Sequence, residues 1–191
     1  MAALKGAHGY IDREKKRRAL RAGAVFCAVL VLLISGYIVN GTKLNWFTFI
    51  AIMLCLPGAK ILVQLITLLP YRSVVPEKGR EAAENAGALM ILYETVITSS
   101  EKIMPVEITA VYDNTVCGYT GYRKVDADDI GSYLKTMMNQ NRLSDVSVKI
   151  FDDYPAFLNR VKEMNRLAGK NQKDSKEKEE NIKRVLLNLS L

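Results

Sequence analysis

Residues 22–39 read AGAVFCAVLVLLISGYIV, a run of eighteen residues without a charged side chain. A helix of this length extends about 27 Å, close to the thickness of the hydrocarbon core of a bilayer. A second apolar run, residues 46–69, corresponds to about 36 Å of helix and begins with Trp46, a residue type enriched at membrane interfaces. We therefore predict a membrane-spanning helical hairpin over residues 22–69.

The first run follows a basic stretch, as the apolar core of a secretory signal peptide does. However, no small-residue cleavage pattern occurs in the segment GYIVNGTKLN, and a second apolar run comes next. These two observations favour an uncleaved hairpin over a signal peptide.

Lys and Arg residues near the spans predict the orientation, because they resist translocation across the membrane. Residues 1–21, which we interpret as a basic arm, carry seven of them against two acidic residues, whereas the link between the runs carries only Lys43. Both termini are therefore expected in the cytoplasm, by default beneath a bacterial plasma membrane. The residues expected to set the topology and to contact anionic lipid headgroups are Arg13, Lys15, Lys16, Arg17, Arg18 and Arg21.

Three polar residues of the second run, Lys60, Gln64 and Thr67, are spaced so that they share one helical face. Such a stripe can line an ion path when several copies assemble. We favour the alternative that Lys60 lies near the inner boundary of the bilayer and extends its side chain to the headgroups. The preceding pair Pro57-Gly58 is expected to interrupt the helix.

The net charge of +7 and the pI near 9.3 suggest nucleic-acid binding until the charge is divided by segment. Residues 81–170 carry ten Lys or Arg against thirteen Asp or Glu, so no nucleic-acid partner is expected. The three cysteines form no Cys-x-x-Cys pair, and the single histidine, His8, lies in an arm predicted to be disordered. We therefore expect neither a metal site nor a cofactor.

A linker at residues 70–79 leads into a predicted soluble α+β or α/β domain at residues 80–168. Its predicted order is helix, three strands, helix, strand, helix, assigned in turn to residues 80–87, 89–98, 105–113, 115–122, 126–141, 145–151 and 154–167. The run 89–98 also fits a helix, because short apolar runs are ambiguous. Residues 169–191 are predicted to form a charged tail with an amphipathic helix that docks on a partner, the domain or the bilayer.

Alternation in the second predicted strand places Val106, Ile108, Ala110 and Tyr112 on one face. The acidic residues that precede the later helices, Asp126 with Asp128 and Asp129 and then Asp152 with Asp153, are open to two interpretations. They can bind a hard cation, or they can cap helix N–H groups and complement the helix dipole, which we favour.

This order resembles the core of restriction-endonuclease-like nucleases, which consists of a helix, three strands, a helix and a strand. Those enzymes hold a divalent metal with an acidic residue and a Glu-x-Lys or Asp-x-Lys motif on the next strand. In this chain Glu107 and Asp113 are the nearest acids, and Cys117-Gly118-Tyr119 occupies the place of the motif. The resemblance therefore implies a topology, and an enzyme would require Glu107 and Asp113 to converge on a cation. Cys117 as a nucleophile is disfavoured, because the domain offers no histidine to activate it.

The segment YDNTVCGYTGYRK, residues 112–124, combines tyrosines, glycines and cations in a predicted hairpin. Aromatic and Arg side chains of this kind suit a recognition surface, although hairpin tyrosines also form cross-strand pairs. The candidate binding residues are Tyr112, Tyr119, Tyr122 and Arg123.

The function expected from these observations is a membrane-anchored protein-interaction or scaffold module. It would bind its partner through the tyrosine-rich hairpin or the C-terminal helix, and it can form homo-oligomers. The alternatives are a tethered nuclease-like or hydrolase enzyme and an accessory subunit of a transport or channel assembly.

Overall fold

The computed structural model describes residues 5–41, 45–99, 102–169 and 176–190. Residues 42–44, which include part of the predicted link, and residues 170–175 of the predicted charged tail lie outside them. The chain divides into two compact units. The helical unit is Ile11–Arg72, and the α/β unit comprises the described residues up to Tyr10 together with those from Ser73 onward.

The helical unit contains two long helices, α1 (Tyr10–Asn40) and α2 (Trp46–Leu68). Both are long and apolar enough to be candidate membrane spans, and only 17% and 11% of their most apolar windows are buried. This low burial distinguishes them from the core helices of a soluble protein. The interruption predicted at Pro57-Gly58 is wrong, because α2 continues through Pro57.

Glycines bring the two helices into close contact. A Cβ atom at Gly36 would lie 2.7 Å from Phe47 Cβ, and one at Gly58 would lie 3.0 Å from Val25 Cγ1. The side chain of Asn45 donates a hydrogen bond to the Gly36 carbonyl (2.8 Å) and accepts one from the N–H of Thr48, so it joins the end of α1 to the start of α2. Small residues at helix contacts allow this kind of packing in membranes.

Basic residues of α1 bind the carboxyl end of α2. Lys15 Nζ donates to the carbonyls of Leu69 and Tyr71, and Arg18 donates to the Gln64 carbonyl at 3.2 Å. A cation at this end complements the helix dipole. Two of the six residues predicted to contact lipid thus also stabilise the hairpin.

The α/β unit is built on one four-stranded sheet of order β1-β2-β3-β4. Its strands are β1 (Met90–Thr98), β2 (Ile103–Tyr112), β3 (Thr115–Tyr119) and β4 (Ser147–Phe151). The first three pair antiparallel, and β4 pairs parallel with β3. Strand is therefore the correct interpretation of the ambiguous run 89–98.

Two helices cover each face of the sheet. On one side α3 (Pro76–Ala86) and α5 (Tyr154–Ala168) bury a cluster that includes Phe157, and on the other α4 (Ala127–Gln140) and α6 (Lys176–Leu189) bury a cluster that includes Leu134. Helix α3 starts at Pro76, four residues before the predicted start at residue 80, because proline is well suited to a first helical turn.

The single face predicted for Val106, Ile108 and Ala110 is wrong. Val106 packs in the α4 and α6 cluster, whereas Ile108 and Ala110 pack in the α3 and α5 cluster. The change of face lies opposite Glu94 of β1, whose φ is 55°, because the pairs on either side of it are Tyr93 with Ile108 and Thr95 with Val106. A left-handed residue within a strand turns the side chains that follow it.

The C-terminal helix docks on its own domain. Ile182, Val185 and Leu186 of α6 are buried in the sheet cluster, and Ser190 forms a bridge with Ile97 of β1. Of the three docking surfaces left open for this helix, the domain is the one observed.

The Glu94 carboxylate holds the two chain segments that lead into and out of the helical unit. It is 3% exposed and accepts hydrogen bonds from Gly9 N–H (2.6 Å), Val74 N–H (3.2 Å) and the Ser73 hydroxyl (2.9 Å). The His8 ring also packs edge-on against Tyr93, with 5.6 Å between the ring centroids. The disorder predicted around His8 is therefore wrong.

Replacing Glu94 separates the contribution of these hydrogen bonds from that of the backbone. Glu94→Ala should lower the free energy of unfolding by about 3 kcal/mol, since one buried and two partly buried donors lose their acceptor. Glu94→Gly should lower it by about 1 kcal/mol less, because glycine relieves the left-handed strain. The measurement is urea unfolding of the detergent-solubilised chain, followed by circular dichroism. Equal midpoints for the two variants would contradict the strain.

The glycine contacts of the hairpin give a second test with a matched control. Gly36→Val should destabilise the detergent-solubilised chain by about 1–3 kcal/mol, because the added side chain must displace Phe47 or Asn45. Gly23→Val in the same helix should have little effect, since no atom lies within 4 Å of a Cβ at Gly23. Thermal aggregation followed by light scattering compares the two, and similar behaviour would refute the close contact.

Candidate functional site

A cavity of about 810 Å³ opens at the carboxyl ends of the parallel strands β3 and β4. The chain leaves β3 here, crosses through α4 and returns as β4, and such crossovers in open α/β sheets leave a crevice that commonly binds ligands. The lining is formed mainly by the loop from Thr120 to Asp126, together with Tyr119, Ala127 and Asp152.

Backbone hydrogen bonds fix the shape of this loop. Thr120 N–H donates to the Phe151 carbonyl at 2.9 Å, and Val125 N–H donates to the Tyr122 carbonyl at 3.1 Å. The Asp126 side chain caps α4 by accepting from Asp128 N–H at 2.9 Å. The exposed side chains of Arg123 and Lys124 lie between these two fixed points.

A second group of polar side chains adjoins the cavity at Tyr119. Lys78 of α3 donates a hydrogen bond to the Tyr119 hydroxyl at 3.0 Å. Its ammonium lies 4.9 Å from the Tyr119 ring centroid and 5.1 Å from that of Tyr154, within cation–π range of both. The Tyr154 hydroxyl donates to the Lys78 carbonyl at 3.0 Å, and burial and the carboxylate of Glu81 together raise its pKa.

The carboxylate of Glu107, on β2, lies close to Gly121, as does the Tyr119 hydroxyl. A Cβ atom at Gly121 would lie 3.0 Å from Tyr119 Oη and 3.1 and 3.2 Å from the two carboxylate oxygens of Glu107. Burial raises the pKa of Glu107, and the charge of Lys78 acts against that shift. The absence of a side chain at Gly121 thus lets a carboxyl and a phenol approach the cavity together.

The cavity brings together three of the four predicted binding residues. Tyr119, Tyr122 and Arg123 line it, whereas Tyr112 lies at the far end of β2, paired with Thr115.

Lys78 and Tyr154 were not predicted as site residues. Lys78 lies in what the sequence indicates as a linker, and Tyr154 in a helix start, so neither carries a local signal. In the sequence, the sign of this site was the combination of glycines and tyrosines in residues 118–122.

The acidic residues near α4 and α5 mainly serve as caps and ion-pair partners. Asp153 accepts from Ala156 N–H at 3.0 Å, Asp128 lies 3.6 Å from Lys149 Nζ, and Asp129 lies 2.7 Å from Lys102 Nζ. Within the described ranges, no group of three or more His, Cys, Asp and Glu residues could hold a metal ion.

The acids that an enzyme would need do not converge. Glu107 and Asp113 are six residues apart along β2 and the turn after it, so about 20 Å of extended chain separates them. Asp113 N–H instead donates to Glu179 of α6 at 3.1 Å. Cys117 is 1% exposed, and burial raises the pKa of its thiol to about 12, which keeps it protonated and unreactive.

In the helical unit, the polar stripe falls on the last turns of α2. Lys60 and Gln64 are exposed, and the Thr67 hydroxyl donates to the Val63 carbonyl at 2.8 Å. Because Arg18 binds the Gln64 carbonyl, the stripe lies beside the basic part of α1.

Comparison of the chain with protein-family models, with curated proteins and with solved structures gave no match. The nuclease-like order of elements predicted from the sequence therefore has no support from these comparisons.

The raised pKa of Glu107 predicts a pH-dependent stability. The folded state holds the Glu107 proton more tightly than the unfolded chain does, so stability is lost as the pH rises through the window between the two pKa values. Glu107→Gln should therefore raise the urea midpoint relative to wild type at pH 7 and leave a smaller difference at pH 4. A gain of the same size at both pH values would show that ionisation of Glu107 is not the cause.

Proposed function

We propose that this protein is a double-spanning membrane protein whose α/β unit is a cytoplasmic protein-interaction module. The carrying observation is the cavity at the ends of β3 and β4, lined by Tyr119, Tyr122 and Arg123. Tyrosine and arginine are enriched where protein interfaces concentrate their binding energy.

The exposure of α1 and α2 supports the membrane assignment. Their largest apolar side chains face outward, among them Leu30, Ile38, Phe49 and Leu56. In water these side chains would form a very large exposed apolar surface. In a bilayer the same surface would contact lipid hydrocarbon, which is favourable.

The distribution of charge supports the proposed orientation. Arg13, Lys16 and Arg21 of α1 are exposed, and each such residue near an anionic membrane contributes about 1 kcal/mol of attraction. In this arrangement Lys60 lies near the same boundary of the bilayer and extends its side chain to the headgroups. We accordingly place both termini in the cytoplasm, with a bacterial plasma membrane as the default.

Other observations favour the cavity over the rival sites. The apolar face of α6 is buried in the domain and cannot dock elsewhere without leaving it. The enzyme alternative needs Glu107 and Asp113 to meet, and a transport path built on Lys60 needs an enclosed volume that two helices do not provide.

The topology can be tested by thiol labelling in intact cells. Because Cys117 is buried and its thiol pKa is about 12, it is a poor reporter, so new cysteines are required. With Cys27, Cys55 and Cys117 replaced by alanine, Thr42→Cys should label from outside, and Lys124→Cys only after permeabilisation. Labelling of Lys124→Cys in intact cells would overturn the cytoplasmic assignment.

The interaction can be tested in the same membranes with a photo-crosslinking residue. Placed at Arg123, it should give a discrete protein adduct at least tenfold stronger than the same residue at Lys162. Lys162 is the matched control, since it is also exposed and basic but lies on α5 away from the cavity. Adducts of equal yield from both positions, or none from Arg123, would contradict the proposal.

A further inference from the structure

The strand β4 forms an open edge of the sheet. It is the last strand in the order β1-β2-β3-β4. Ser147 N–H donates to the Asn114 carbonyl and the Phe151 carbonyl accepts from Thr120 N–H, so these residues point their backbone groups towards β3. Because successive residues of a strand direct these groups to opposite sides, Val148 and Ile150 present theirs to the outer side.

The opposite edge of the sheet, formed by β1, is covered by other parts of the chain. Tyr93 N–H of β1 donates to the Gly6 carbonyl at 2.8 Å, and Ile97 bridges to Ser190. An uncovered edge is a template for pairing with another chain, and proteins commonly protect it. In the described residues this protection is built at β1 and not at β4.

A groove of about 340 Å³ follows the open edge between β4 and α4. The groove has free space at Gly131 of α4, since a Cβ there would meet only Ile150 Cγ1, at 3.9 Å. Ala127 lines both this groove and the cavity described above, so the two adjoin at the start of α4. A strand added at β4 would thus lead directly into the cavity.

The charges of the groove favour an acidic occupant. Lys149 crosses the edge to within 3.6 Å of Asp128 on α4, and both side chains are more than half exposed. Lys135 donates to the carbonyls of Ser144 and Val146 and has no ion-pair partner among the described residues. The lining of the groove thus carries two cations, Lys135 and Lys149, against one carboxylate, Asp128.

Pairing with a second copy of β4 is disfavoured. In an antiparallel pair centred on Lys149, two ammonium groups would face each other, and like charges directly opposite destabilise a sheet. An acidic side chain from a different peptide would instead meet Lys149 favourably.

We propose that the β4 edge binds an extended acidic peptide of the partner protein as a fifth strand. Backbone pairing with Val148 and Ile150 supplies affinity, Lys149 selects acidic residues, and the peptide continues into the cavity. This inference rests on the proposed interaction function and names the kind of partner segment that it requires.

The probe is a pool of synthetic decapeptides in which Asp alternates with a randomised apolar residue, added to the full chain in detergent. A matched pool carries Lys in place of Asp. We expect the Asp pool to bind at least tenfold more tightly, and to slow amide hydrogen exchange at Val148 and Ile150. Equal binding of the two pools, or binding that leaves these amides unprotected, would overturn the proposal.

Variants locate the binding. Val148→Pro removes an outward N–H and should abolish binding, and Lys149→Glu should reverse the preference between the pools. Lys162→Glu, the matched charge reversal on α5, should change neither. Slow labelling of the buried Cys117 checks that each variant is folded. Undiminished binding by folded Val148→Pro would refute strand addition.

Failure of this inference can be told apart from failure of the proposed function. The pools test the edge without any natural partner, whereas the Arg123 crosslink tests for that partner in the membrane. If the pools do not bind and the crosslink forms, the edge proposal alone is wrong. If the pools bind and no crosslink forms, the proposed interaction function is wrong and the edge site stands.

Discussion

The structure of the α/β unit depends on one buried carboxylate. Glu94 accepts from the backbone of Gly9 and Val74 and from the Ser73 hydroxyl, and to do so it adopts a left-handed conformation within a strand. Each hydrogen bond to a charged group contributes about 1.5–3 kcal/mol, which exceeds the strain of about 1–3 kcal/mol when three are made. Glu94 thus holds Val74 two residues before α3 begins at Pro76, and Lys78 of that helix lies beside Tyr119.

The elements of this fold were largely predictable, because each one has its own hydrophobic period. The helices α4 and α5 and the strands β2 to β4 were assigned within a few residues of their observed bounds. The ambiguous run 89–98 forms a strand because it pairs with β2, and local composition does not encode this pairing. The same holds for the change of face between Val106 and Ile108. It depends on a hydrogen-bond acceptor, Glu94, whose donors lie up to 85 residues away.

The candidate site was predictable only where its residues are neighbours in sequence. Tyr119, Tyr122 and Arg123 follow one another closely, so their unusual composition was visible. Lys78 and Tyr154 lie 41 residues before and 35 residues after Tyr119, and only packing of α3 and α5 against the sheet brings them together. Tyr112 is only seven positions from Tyr119, but it lies away from the cavity because the extended strand β3 separates the two residues.

The docking of α6 has a consequence for biosynthesis. This helix covers the sheet face at β1 and β2, yet it is translated after every strand of that sheet. Until Ile182 and Leu186 are synthesised, the part of the apolar sheet face that α6 covers stays exposed. Exposed apolar surface makes incompletely folded chains prone to aggregation, so the α/β unit can complete its core only when α6 has been made.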